Sequence, residues 1–133
     1  MKGNTLIAFC LTFLMILGLI SCKKEEKLQE PDLYGKWNWV SSKSKLHGNT
    51  ITPQTEGYTQ SIEFNTNGMI EFRHNDSLTS EKPFSIIHDA SISTLPVIKL
   101  ENDPFWMYSI KGDSLYLDNV CPNCFDDKYV RVK

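Results

Sequence analysis

The feature that most constrains the fold of this chain is a period-two alternation of apolar and polar residues around a short turn. Ile62 and Phe64 alternate with polar neighbours, and Ile70 and Phe72 do the same after the turn Asn-Thr-Asn-Gly at positions 65–68. Successive side chains of a β-strand point to opposite faces of the sheet. The pattern therefore predicts two half-buried strands joined as a hairpin.

Similar short alternations recur along the rest of the chain, separated by turn-forming Asn, Asp, Gly and Pro residues. They lie near positions 36–42, 84–87, 97–100, 105–110, 115–117 and 128–132. Beyond position 32, no stretch has the apolar spacing of a convincing amphipathic helix. An antiparallel meander of this size must close or stack to cover its edge strands. The sequence predicts an all-β fold, a small antiparallel barrel of about eight strands, over residues 33–133.

Composition limits the number of domains and the classes of partner. A chain of 133 residues that is 41% hydrophobic and 23% charged is typical of one globular domain. Its formal net charge is −2. Because no strongly basic stretch is present, nucleic acid is not an expected partner.

The first 21 residues have the organisation of an export signal. Lys2 gives positive charge, residues 6–20 are almost entirely apolar, and the small residue Ser21 follows. The apolar run is shorter than the roughly 20 residues that a membrane-spanning helix needs. A buried helix of the folded domain would need a polar face, and Thr12 is the only strongly polar residue in the run. We predict that residues 1–21 are a signal peptide.

Leu19, Ile20, Ser21 and Cys22 resemble the lipobox of bacterial lipoproteins, placed where the apolar run ends. The resemblance implies that the Cys22 thiol carries diacylglycerol, that the chain is cut before it, and that the new amine is acylated, for example by palmitate. Each buried CH₂ group contributes about 0.8 kcal/mol, so two or three acyl chains hold a domain firmly at a membrane. The expected location is the cell envelope, as an outer-membrane lipoprotein.

Residues 22–32 are mostly polar and unpatterned, so we predict that they form the lipidated N-terminus and a flexible tether. Lys23, Lys24, Glu25 and Glu26 directly follow the cysteine. This order resembles a surface-export tag of lipoproteins in one group of Gram-negative bacteria. The resemblance implies that the domain is displayed on the cell surface.

Gly35-Lys36-Trp37 resembles the Gly-x-Trp opening of lipocalins and related barrels. Together with positions 62–68 and 108–115, it makes the mature region similar to the small lipocalin-like domains of bacterial lipoproteins. The resemblance implies a barrel whose closed end is plugged by Trp37 under a basic residue of the last strand, for which Arg131 is the candidate. With Gly35, these residues are the predicted barrel-closing set.

The large aromatic side chains have two interpretations. Phe64, Phe72 and Tyr108 line an apolar ligand cavity, or they simply fill the barrel core. Positions 105–108 are consecutive apolar residues, so two of the four must face away from the core. Whether these are Phe105 and Met107 or Trp106 and Tyr108 is open, and either pair would give a partner surface.

Cys121 and Cys124 are the only cysteine pair outside the signal peptide and the lipobox. In an oxidising compartment the expected outcome is a disulfide across this turn. A structural zinc site needs about four ligands, and no second such pair exists, so no metal is predicted. Nearby acidic residues argue against a reactive thiolate and hence against redox catalysis.

No motif identifies an enzyme. His88-Asp89 lacks a nucleophile in a recognisable setting, and Gly-rich phosphate loops are absent from the sequence. The predicted function is therefore non-enzymatic and needs no cofactor: an exported, lipid-anchored, lipocalin-like domain that binds a small apolar molecule. The alternative is interaction with an envelope protein or glycan, or a structural lipoprotein with a filled core.

Overall fold

The structure is a computed structural model, and it describes residues 32–103 and 105–133. The predicted signal peptide at 1–21, the predicted lipidation site Cys22 and the tether up to position 31 lie outside the described residues. In the part that is described, no helix combines the length and hydropathy needed to cross a bilayer.

Within that part, the chain forms nine β-strands and one short helix. The strands are β1 (Gly35–Ser44), β2 (Thr50–Ile51), β3 (Gln60–Phe64), β4 (Met69–His74), β5 (Ser77–Ile87), β6 (Val97–Leu100), β7 (Trp106–Lys111), β8 (Ser114–Asn119) and β9 (Phe125–Arg131). The helix α1 (Pro53–Glu56) follows β2. The predicted all-β class is confirmed, although α1 and the two-residue strand β2 were not anticipated.

Eight of the strands close into an antiparallel barrel. Each pairs with the next in the order β1-β3-β4-β5-β6-β7-β8-β9, and β9 pairs back onto β1. Trp37 lies opposite Arg131 and Ser44 lies opposite Phe125, so the closing contact runs along most of β1. The predicted small barrel of about eight strands is confirmed. Strand β2 stands outside the ring and pairs only with the end of β1.

The hairpin that the alternation predicted is β3–β4. Ile62 lies opposite Phe72 and Phe64 opposite Ile70, so all four apolar side chains share the inner face. Gly68 closes the turn at a φ of 83°, a left-handed conformation that glycine adopts without steric cost. The Asn67 side chain accepts a hydrogen bond from the Met69 backbone N–H at 3.1 Å, which stabilises the turn.

Strand β5 turns a corner of the barrel. Its first part pairs with β4 as far as Pro83, and from Phe84 onward it pairs with β6. The sequence predicted only the second part, because residues 77–81 are largely polar and exposed. The two halves of β5 therefore pair with different strands, at different positions along the barrel axis.

Alternate connections of such a barrel lie at the same end. The closed end holds the start of β1 and the connections β3–β4, β5–β6 and β7–β8. The open end holds the connections β1–β3, β4–β5, β6–β7 and β8–β9. The core residues Trp37, Phe64, Ile70 and Leu115, which lie towards the closed end, are at most 1% exposed.

Candidate functional site

A cavity of about 340 Å³ lies towards the open end, and we name it the mouth cavity. Its lining residues come from three neighbouring strands and from β9 on the other side of the lumen: Gln60, Ser61, Ile62, Phe72, Arg73, His74, Thr79, Ser80 and Tyr129. Strands β3, β4 and β5 position all of these except Tyr129. Because Tyr129 lies on β9, its side chain reaches the cavity by projecting inward across the barrel.

The inner wall of the mouth cavity is apolar. Ile62 and Phe72 are cross-strand partners and therefore pack side by side on the inner face. The Phe72 ring also meets the Trp106 ring edge to face, with centroids 6.1 Å apart. The Phe72 ring of this wall is therefore packed against an aromatic ring of another strand.

The outer part of the cavity is polar. Gln60 and His74 are cross-strand partners at the ends of β3 and β4, and Ser80 lies opposite Phe72. Arg73 also borders the cavity, but its guanidinium is ion-paired with the Glu71 carboxylate. The inner part of the cavity is thus apolar and partly aromatic, and its outer part is polar, with one histidine and a paired arginine.

The connection between β1 and β3 folds over this end of the barrel. Its Tyr58 ring stacks on Trp39 with centroids 5.8 Å apart, and the His74 ring lies 4.6 Å from Tyr58. Helix α1 has a capping box in which Thr52 and Thr55 satisfy each other's backbone N–H groups. The short, capped helix α1 lies shortly before Tyr58 in the chain and therefore helps to place its ring at the edge of the mouth cavity.

A chain of polar groups is buried beside the cavity. The Trp39 indole N–H donates to the Ser42 hydroxyl oxygen at 2.8 Å, and the Ser42 hydroxyl donates to the Asp127 carboxylate. Burial raises the pKa of Asp127, and hydrogen bonds from Ser42 and Asn119 oppose that shift only in part. Burial and the charge of Asp127 also raise the pKa of Tyr129, so this hydroxyl remains protonated.

The three residues predicted as ligand walls have different positions. Phe64 and Tyr108 are each 1% exposed within the packed core, whereas Phe72 lines the mouth cavity. The structure therefore brings only Phe72 to the cavity, and its ligand-binding role stays a prediction. Tyr129 was not among the predicted cavity residues, although it lies two positions before the predicted barrel-closing residue Arg131 and therefore on the same face of the strand.

Gly35, Trp37 and Arg131 meet at the closed end. The Arg131 guanidinium carbon lies 4.1 Å from the Trp37 ring centroid. The guanidinium also donates to the Tyr34 carbonyl at 3.0 Å, and the Trp37 indole N–H donates to the Leu33 carbonyl at 2.9 Å. Gly35 has a φ of 110°, and a Cβ there would lie 3.6 Å from an Arg131 nitrogen.

Cys121 and Cys124 form a disulfide in the β8–β9 connection, with Cα atoms 5.4 Å apart. The Cys124 carbonyl accepts a hydrogen bond from the Lys45 backbone N–H at 3.1 Å. The Lys45 ammonium also pairs with Asp118, and with Asp126 at 3.1 Å. The disulfide-bonded connection is thereby attached to the start of the connection that carries Tyr58.

Strand β7 resolves the alternative left open for positions 105–108. Trp106 and Tyr108 pack with the core, so Phe105 and Met107 face outward. Met107 borders an outer hollow of about 460 Å³, where Lys111 and Lys128 lie 5.8 Å and 5.7 Å from the ring centroid of Tyr116. This hollow is on the outer face of the sheet, separate from the lumen.

The described residues contain no group of three or more His, Cys, Asp or Glu side chains placed to hold a metal ion. A scan against models of known protein families finds no match to the chain. A search of curated proteins also finds no match.

Proposed function

We propose that this chain is an exported, lipid-anchored, lipocalin-like protein that binds a small, mainly apolar molecule without chemical conversion. The observation that carries the proposal is the mouth cavity of about 340 Å³, a size within the usual range of small-molecule pockets. Phe72 and Ile62 give it an apolar wall, while Gln60 and Ser80 offer polar groups that fix orientation.

The position of Asp32, the first residue that the structure describes, supports display of the cavity away from the membrane. Asp32 lies at the closed end, where its carbonyl accepts a hydrogen bond from Arg131. The proposed anchor Cys22 lies ten residues before Asp32, and a flexible segment of that length spans roughly 15–20 Å. A tether leaving from the closed end would keep the open end, with the mouth cavity, accessible to ligand.

The ligand proposal is tested by extraction of the purified protein with organic solvent, followed by mass spectrometry. We expect a bound apolar compound in the wild type and its loss in Ser80→Trp, where an indole is placed in the cavity opposite Phe72. Ser85→Trp is the matched control, since it adds the same ring to the outer face of β5 opposite Lys99. Equal recovery from both variants would exclude the mouth cavity as the binding place.

The anchor proposal is tested by Cys22→Ala. We expect the folded domain to be released from the membrane fraction, because the thiol that would carry the acyl chains is gone. Membrane fractionation followed by immunoblotting measures the change, and Ser21→Ala serves as a control that keeps a small residue before the cysteine. A variant without Cys22 that stays fully membrane-associated would contradict lipid anchoring.

A second candidate function is interaction with an envelope protein or glycan through the outer hollow. Tyr116 is 37% exposed and lines the hollow together with Met107, and both residue types are enriched at protein–protein interfaces. In vivo crosslinking through a photoreactive residue in place of Tyr116 tests this function. A photoreactive residue in place of Leu78, exposed on β5, is the control, and identical products from both positions would argue against the hollow.

A further inference from the structure

Tyr129 is a buried polar group that lines the mouth cavity. Its side chain is only 7% exposed and borders the cavity. Among residues 32–103 and 105–133, no side chain or backbone group forms a hydrogen bond with its hydroxyl. Because this residue borders an open volume and its hydroxyl has no partner among the described residues, the hydroxyl is available to a group that enters the cavity.

The neighbouring groups determine what that partner can be. Tyr129 lies opposite Trp39 on β1 and Leu115 on β8, and neither side chain has an acceptor oxygen. The phenol is protonated, because burial and the Asp127 charge both raise its pKa. Tyr129 is therefore available as a hydrogen-bond donor at the inner side of the cavity.

Charge around the cavity disfavours an anion. The Asp127 carboxylate lies two positions from Tyr129 on the same face of β9 and acts on its hydroxyl electrostatically. The Arg73 cation, which borders the cavity, is already paired with Glu71. His74 is exposed at the rim, and its ring lies tilted against the Tyr58 ring. A negatively charged group bound at Tyr129 would therefore be repelled by the nearby Asp127 carboxylate, while the arginine that lines the cavity is already paired.

We propose that the Tyr129 hydroxyl is the polar recognition group of the mouth cavity and selects neutral, flat apolar molecules that carry a carbonyl or ether oxygen. The oxygen accepts the Tyr129 hydrogen bond, and the apolar body packs on Phe72 and Ile62. This inference rests on the proposed ligand-binding function and adds the chemical class of the ligand.

Three probes of similar shape test the inference by calorimetric titration of the complete chain. They are 2-acetylnaphthalene, which has a carbonyl acceptor, 2-isopropylnaphthalene, which lacks one, and 2-naphthoate, which is anionic. One neutral hydrogen bond corresponds to about a 2- to 12-fold change in affinity. We expect the wild type to prefer the ketone over the hydrocarbon by that factor and to bind the carboxylate most weakly.

Tyr129→Phe removes one oxygen and leaves the ring, so the ketone and the hydrocarbon should then bind equally. Tyr116→Phe is the matched control, because it removes a hydroxyl from the exposed face of β8 and should keep the ketone preference. A ketone preference that survives in Tyr129→Phe, or tightest binding of the carboxylate, would overturn the inference while ligand binding stands. No binding of any probe to the wild type would refute the binding function itself, and the inference with it.

Discussion

The lumen is filled by side chains at one end of this barrel and contains a cavity at the other end. At the closed end, Trp37 and Phe64 are almost completely buried, and Arg131 covers the Trp37 ring at 4.1 Å. At the open end, aromatic rings stand around a cavity of about 340 Å³ with serine and glutamine at its edge. The closed end gains stability from packing, whereas the open end gives up packing to keep accessible space.

The comparison also concerns polar groups. The indole N–H of Trp37 bonds to a backbone carbonyl 2.9 Å away, so the closed end needs no further polar side chain for it. The indole N–H of Trp39 instead bonds to Ser42, which bonds to Asp127. The partly buried carboxylate of Asp127 is therefore part of the open end, and its protonation makes the free energy of unfolding depend on pH.

The largest expected effect comes from Trp37→Ala. Removal of a fully buried indole should lower the free energy of unfolding by about 3–5 kcal/mol, as measured by urea denaturation. Trp106→Ala is the control at the open end, where the ring is only partly buried and the loss should be smaller. Equal losses for the two variants would mean that the ends are packed equally well.

An intermediate effect is expected from the double substitution Cys121→Ser with Cys124→Ser. Closing so short a loop stabilises by about 2 kcal/mol in the chain-entropy model, so the urea midpoint should fall by a corresponding amount. Addition of a reductant should lower the wild-type midpoint and leave the double variant unchanged. A wild-type midpoint insensitive to reductant would show that the open-end connections are held by packing alone.

The smallest expected effect is on pH dependence, through Asp127→Asn. The pKa of Asp127 in the folded protein lies above the ordinary value of 3.8, so the folded state binds this proton more tightly than the unfolded state. Its contribution to the free energy of unfolding is thus greatest at pH below 3.8, falls as pH rises through the folded pKa, and is constant above it. The asparagine variant should lose this decline, as followed by urea denaturation at a series of pH values.

Asp89→Asn is the control of opposite sign. Hydrogen bonds from Ser91 lower the pKa of Asp89, so its contribution is present above pH 3.8 and is lost on acidification through the lowered folded pKa. This variant should therefore lose a small gain that accompanies rising pH. If Asp127→Asn changes the profile in the same direction as Asp89→Asn, the Asp127 carboxylate is not buried as described.

Local alternation was enough to predict the β3–β4 hairpin, because its apolar side chains repeat every second residue and its turn contains glycine. It did not reveal the first part of β5, since Ser77, Thr79 and Ser80 contribute no apolar face. The mouth cavity could not be predicted from local alternation at all. Gln60 and Tyr129 meet there only because β9 closes onto β1, and pairing between strands so far apart in sequence leaves no local pattern.

Closure of β9 onto β1 has a consequence for biogenesis. Strand β1 needs the seven-residue strand β9 as its neighbour, so the barrel stays open until β9 has been synthesised. Contacts at such sequence separation also slow folding. Under the proposed export, a chain in which β9 has not yet paired with β1 would still lack a closed barrel and could pass through a secretion channel in an unfolded state.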